Sequence, residues 1–138
     1  MKTHSAKQKG RRHQQDVCKK LIEVGHNLEP DDIRSASMGA PGEDILLSPA
    51  ARKQFPFSFE CKNVEKLSIW AAIDQARENA KNYVPAVVFT KNREVPQIAL
   101  PFETFLEIYS VYLRNNRFRE AVDSVTKAHK KTLDSLND

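Results

Sequence analysis

Phe57-Ser58-Phe59-Glu60-Cys61-Lys62-Asn63-Val64 alternates aromatic or apolar residues with polar ones, which is the period of a β-strand. At that period Glu60 and Lys62 project from one face and Cys61 from the other. Upstream, Gly42-Glu43-Asp44-Ile45-Leu46-Leu47 is a second short strand candidate, and its Asp44 lies across from Glu60 if the two strands pair. Two carboxylates and an ammonium then meet at one spot. Carboxylates attract a hard divalent cation, and a neighbouring lysine can orient or help deprotonate a water on that cation. A Glu-x-Lys tripeptide alone carries little, because alternating charges on a strand usually form a solvated face. The weight lies in what surrounds it.

Working outward, a first helix is expected from about Arg11 to Val24, with Val17, Leu21, Val24 and Leu28 as its packing stripe. Gln14, three residues before Val17 and four before Cys18, shares that inward side. Asp32 to Ser37 reads as a short strand, and a Gly/Pro loop over 39–42 leads to Asp44. Ser48 to Pro56 reads as a long basic hairpin loop, with Pro56 opening the Glu60 strand. Leu67 to Tyr83 reads as a helix capped by Ser68 or Asn63, with Trp70, Ile73, Ala76 and Ala80 at core spacing. Ala86 to Thr90 is a nearly continuous apolar run, expected for a strand buried on both faces, and Gln97 to Leu100 is a fifth strand. Phe102, Phe105, Leu106, Tyr109, Tyr112 and Leu113 form a helical stripe. Phe118, Val122, Val125, His129, Leu133 and Leu136 form a thinner one.

The 138 residues suit one domain with a real core. The expected division is a basic flexible arm over 1–10, a domain over 11–113 and a helical tail over 114–138. Cys18 and Cys61 suit buried thiols in a reducing compartment, and no Cys or His spacing supports zinc. No apolar run approaches about 18 residues, so no membrane partner is expected and the location is expected to be cytoplasmic.

The net charge of +4 is unevenly spread. Residues 1–15 hold Lys2, Lys7, Lys9, Arg11 and Arg12 and no acid; the middle of the chain is acidic. A basic segment beside an acidic site suits a protein that meets phosphates with one and holds a cation with the other.

An acidic residue at Asp44, then Glu60-x-Lys62 on the next strand, then a helix carrying Gln75, resembles the PD-(D/E)xK nuclease superfamily. Lys9-Gly10-Arg11-Arg12-His13-Gln14 resembles the Lys-Gly-x-x-x-Glu opening of archaeal-type Holliday junction resolvases. Pro85 to Arg93 looks closer still to phage-encoded relatives of that branch. The resemblance covers roughly residues 7 to 110 and implies an α/β, restriction-endonuclease-like core: a mixed five-stranded sheet flanked by helices. It implies a structure-selective DNA endonuclease, acting as a homodimer on branched or four-way junction DNA with Mg²⁺, or Mn²⁺ in its place.

It also implies roles for particular residues. Asp44, Glu60 and the Cys61 carbonyl are expected to hold the metal, and Lys62 to act on the attacking water. The family's glutamate on the first helix is replaced here by Gln14, which keeps a carbonyl acceptor but brings no charge. Lys9, Arg11, Arg12, Arg34, Ser37, Gln75 and Lys91 are the expected DNA contacts. The loss of that glutamate leaves open a DNA-binding protein of the same fold that does not cleave; a less selective phage DNA-degrading nuclease is the other alternative.

Overall fold

Ala86 and Val87 are both essentially inaccessible, at 0% and 1% exposure. Neighbours in a strand point to opposite faces, so the strand that carries them is covered on both sides. In the computed structural model, which describes residues 3–115 and 118–137, that strand is the centre of a mixed α/β arrangement. Lys2 of the basic N-terminus and the Phe118 side chain of the expected stripe lie outside the described residues.

The elements run α1 (Thr3–Val24), a 3-10 turn at Pro30–Asp32, β1 (Ile33–Ser35), β2 (Ile45–Leu47), α2 (Pro49–Gln54), β3 (Phe57–Asn63), α3 (Ile69–Ala80), β4 (Val84–Thr90), β5 (Gln97–Ala99), α4 (Phe102–Arg114) and α5 (Phe118–Leu136). They divide into two units, Met1–Leu100 and Pro101–Asp138, so α4 groups with α5 and not with the strands, and the division falls ahead of the one expected at 113.

The first unit has two sheets in place of the expected single five-stranded one. β1 and β2 pair antiparallel, Arg34 opposite Leu46. β3 pairs parallel with β4, Cys61 opposite Val88, and β5 closes the second sheet antiparallel to β4. The sheets meet at Asp44, whose N–H donates to the Phe59 carbonyl (3.2 Å) and whose carbonyl accepts from the Ala36 N–H (2.8 Å). Pro41 and Gly42, the latter at φ +95°, turn the chain just before Asp44. Beyond Asp44 the chain runs on as β2 along β1, and the ladder with β3 does not extend.

Two cores sandwich the larger sheet. On one face Val17 and Cys18 of α1 pack with Phe59, Cys61 and Ala86, together with Ile33, Ile45 and Ala51. On the other, Ala72 and Ala76 of α3 pack on Val87. The alanines, four apart and followed by the buried Ala80, let α3 approach the sheet closely. Trp70, expected at core spacing, falls off that stripe and is 68% exposed. The core on the α1 side also contains both cysteines as free, buried thiols.

Two segments expected to be irregular are helical. Helix α1 begins at Thr3 and takes in residues expected to form a flexible arm. Ala6, Lys7, Gln8 and Lys9 are good helix formers, and the turn is tied down where Asn63 Nδ2 donates to the Lys9 carbonyl (3.5 Å). The expected basic loop contains α2, because Ser48 caps it by accepting from the Ala51 N–H (3.1 Å) and Pro49 opens its first turn.

The second unit consists of α4 packed with α5. The expected stripe on α4 is continuous, with Phe105 stacked on Tyr109 at 5.7 Å, but no residue of that helix is fully buried. Among the described residues no helix is long and apolar enough to cross a membrane.

Candidate active site

Alternation along β3 sends Phe59 and Cys61 toward α1 and Ser58, Glu60 and Lys62 toward α3. β3 is the outer strand of its sheet. Its even-numbered residues bond to β4, so the backbone N–H and C=O of Phe59 and Cys61 face the open edge. Asp44 docks there. Besides its backbone bond to Phe59, its Oδ2 accepts the Cys61 N–H at 2.7 Å. The Cys61 carbonyl points to the same edge by that alternation.

Glu60 lies beside Asp44 and is only 2% exposed. Burial first, and the Asp44 carboxylate second, push its pKa up to about 7, against a smaller opposing pull from Lys62. Its Oε1 is 3.4 Å from Lys62 Nζ, and its Oε2 is buried without a hydrogen-bond partner. Lys62 Nζ also donates to Gln75 Oε1 of α3 at 2.8 Å. An ammonium has three donors, so with two directed at Glu60 and Gln75 one remains uncommitted among the described residues.

The segment bearing Asp44 is held by residues that the sequence pattern does not single out. Arg52 of α2 pairs with Glu43 Oε1 at 2.7 Å and donates to the Phe57 carbonyl at 2.6 Å. Its guanidinium lies 4.1 Å over the Tyr83 ring. Asn79 Nδ2 donates to the Gly42 carbonyl at 3.1 Å. The planar guanidinium fork makes this clamp possible, since one head group meets an acid, a carbonyl and an aromatic face together. The Ser48-Pro49 pair is the signal in the chain that Arg52 sits on a helix and not in a loop.

The remaining expected residues are spread over the first unit. Gln14 is buried on α1 beside Val17 and Cys18, makes no hydrogen bond to Asp44, Glu60 or Lys62, and leaves its Oε1 unpartnered. Arg11 and Arg12 are exposed on α1, whereas Lys9 is half-buried and pairs with Glu65 at 3.7 Å. Arg34 is exposed on β1, Ser37 in the loop after it, and Lys91 in the turn after β4. Gln75, expected among DNA contacts, is a partner of Lys62.

The two thiols stay protonated: burial raises Cys18 to about 11 and raises Cys61 as well. Cys61 therefore offers its backbone and not its sulfur. Among the described residues no three His, Cys, Asp or Glu side chains gather, and Asp44 with Glu60 is the pair that the fold brings together.

No protein-family model matches the chain, and neither a curated protein nor a solved structure matches it.

Proposed function

We propose that the protein is a divalent-cation-dependent DNA endonuclease of the PD-(D/E)xK kind, with Asp44, Glu60 and Lys62 at its centre. The observation that carries this reading is the Asp44–Glu60–Lys62 cluster at an open strand edge, with one buried Glu60 oxygen left unpartnered. Two adjacent carboxylates, one of them buried, are costly together, and an orphaned buried carboxylate oxygen is costlier still. A hard cation satisfies both defects. Asp44, Glu60 and the Cys61 carbonyl would hold Mg²⁺, or Mn²⁺ with the same oxygen ligands. Such an ion supplies positive charge against the phosphate oxygens and makes water more acidic.

The chain's own groups do the rest. The Cys61 amide fixes one Asp44 oxygen and so the direction of the other. Lys62, steadied by Glu60 and Gln75, presents its remaining N–H to the attacking water or to a phosphate oxygen as charge builds there. Exposed Arg11 and Arg12 on α1 supply phosphate contacts without sequence preference. Hydrolysis to 5′-phosphate and 3′-hydroxyl ends, branched DNA as substrate, and a homodimer that nicks two strands follow from the resemblance of the motifs to junction resolvases.

Gln14 favours a second reading, a DNA-binding protein that does not cleave, because it brings no third charge to the site. Incubating the protein with four-way junction, flap, single-stranded and linear duplex DNA in Mg²⁺ decides among these. Preferential nicking of the junction supports a resolvase, and even cutting of all four supports a less selective nuclease. Salt-sensitive binding of every substrate with no cleavage supports the second reading.

A further inference from the structure

A cleft of about 290 Å³ opens at the carboxyl ends of β3 and β4, beginning two residues beyond Lys62. Val64, Leu67, Phe89 and Val95 give it apolar walls with one aromatic ring, and Glu94 and Gln97 give it polar ones. The turn that forms one side is fixed. Thr90 Oγ1 donates to the Glu94 carbonyl (2.9 Å), the Asn92 N–H donates to Glu65 Oε2 (2.8 Å), and Glu65 in turn pairs with Lys9. Glu65 is thus committed to structure. The Glu94 carboxylate takes part in no hydrogen bond or ion pair among the described residues, and the Gln97 amide oxygen is also uncommitted.

We propose that this cleft receives an unpaired nucleobase bearing an exocyclic amino group, from the DNA strand cut at Asp44, Glu60 and Lys62. The inference rests on the endonuclease reading for the identity of the strand, but not for the chemistry of the cleft. Its volume lies at the small end of ligand sites, which run from about 300 Å³ upward, and so suits a single flat ring system more than a whole nucleotide. Apolar walls with an aromatic ring suit the faces of a base. A free carboxylate accepts from an amino group, as acidic side chains accept from cytosine N4, and it repels a phosphate. Lys91, also lining the cleft, offers a cation to the phosphate attached to that base. A duplex offers no such base without being opened, whereas branches, flaps and loops offer one at little cost. The cleft would therefore favour branched over linear DNA within a single subunit.

The test uses the full chain, without metal and without cleavage. The methyl resonances of Val64, Leu67 and Val95 are followed while dAMP, dTMP or deoxyribose 5-phosphate is added. The expected result is that dAMP shifts all three methyls, that dTMP needs roughly tenfold more to do so, and that the base-free sugar phosphate leaves them in place. Glu94→Ala, which removes the acceptor, should bring dAMP and dTMP to within about twofold of each other while the protein remains folded. Equal shifts from deoxyribose 5-phosphate, or no methyl shift with either nucleotide, overturn the proposal. Shifts by dAMP in a protein that never cuts DNA would keep the base site and remove the endonuclease reading. Cleavage by a protein whose cleft ignores dAMP would do the reverse.

Discussion

The Cys61 N–H donates to Asp44 Oδ2 over 2.7 Å, and so a carboxylate from a turn is fixed on the open edge of the strand that carries Glu60 and Lys62. Because the donor is backbone, no substitution at Cys61 other than proline removes it. The fragile part of the site is what delivers Asp44 to that edge.

Arg52 is that part. Replacing it with alanine removes an ion pair at 2.7 Å, a bond to the Phe57 carbonyl and a cation–π contact with Tyr83, and leaves Glu43 half-buried without its cation. Arg52→Ala is expected to cost about 2–3 kcal/mol in chemical denaturation. Arg52→Lys should recover under half of that, since an ammonium cannot serve three partners at once. In both variants Mn²⁺ affinity, read by calorimetry, should fall although Arg52 is not among the proposed ligands. Unchanged affinity in a folded Arg52→Ala protein would show that Asp44 needs no such support.

Glu60 sets a pH dependence with a definite sign. Its ordinary pKa of 4.5 is raised in the folded protein to about 7, so the folded state holds the proton more tightly than the unfolded one. The stability associated with this group is fully present below about 4.5 and is lost as pH rises toward 7. Glu60→Gln mimics the protonated form. Without metal it should melt higher than wild type at pH 8, by roughly 5 °C, and the difference should close near pH 4.5. A variant that melts lower than wild type at pH 8 would show that Glu60 is stabilising as a carboxylate.

Much of this centre can be read in the chain, and the reasons differ by residue. The alternation over 57–64 places Glu60 and Lys62 on one face because strand period is a local property. The run at Ala86–Thr90 announces burial on both faces for the same reason. Pairing of Asp44 with the Glu60 strand follows from motif order, yet the sheet is split, because the ladder to β3 ends at Asp44 and Ile45–Leu47 pair with β1 instead. Arg52 looks in the sequence like one more basic loop residue. Its partners Glu43 and Tyr83 come from different parts of the chain and no period connects them. Trp70 has the size of a core residue, whereas close helix-to-sheet packing selects Ala72 and Ala76 and leaves the indole outside.

Helix α1 places Lys7, Lys9, Arg11 and Arg12 on one regular element. Arg11 and Arg12 are exposed on α1. Changing both to alanine should weaken DNA binding at every sequence and lower the slope of log K against log salt by about 0.9 for each phosphate no longer neutralised. Melting temperature should stay within a degree or two, because both side chains are on the surface. A slope identical to wild type would remove α1 from the DNA interface.

Gln14 is buried with an unpartnered oxygen, and the edge where Asp44 docks borders the face that α1 covers. Gln14→Glu should destabilise the metal-free protein at neutral pH by adding a buried charge, by about 1–3 kcal/mol. Mn²⁺ should restore that loss and bind more tightly than in wild type. Loss of stability with no gain in Mn²⁺ affinity would assign Gln14 to packing alone.

The most direct measurement compares magnesium-dependent cleavage of one junction substrate by wild type, Asp44→Asn, Glu60→Gln and Lys62→Ala, each first shown to bind that DNA equally in Ca²⁺. A site built on these three residues requires cleavage to fall by roughly 10²-fold or more in every variant, with DNA affinity unchanged. Wild-type cleavage rates in the Glu60 and Lys62 variants would place the chemistry elsewhere on the protein.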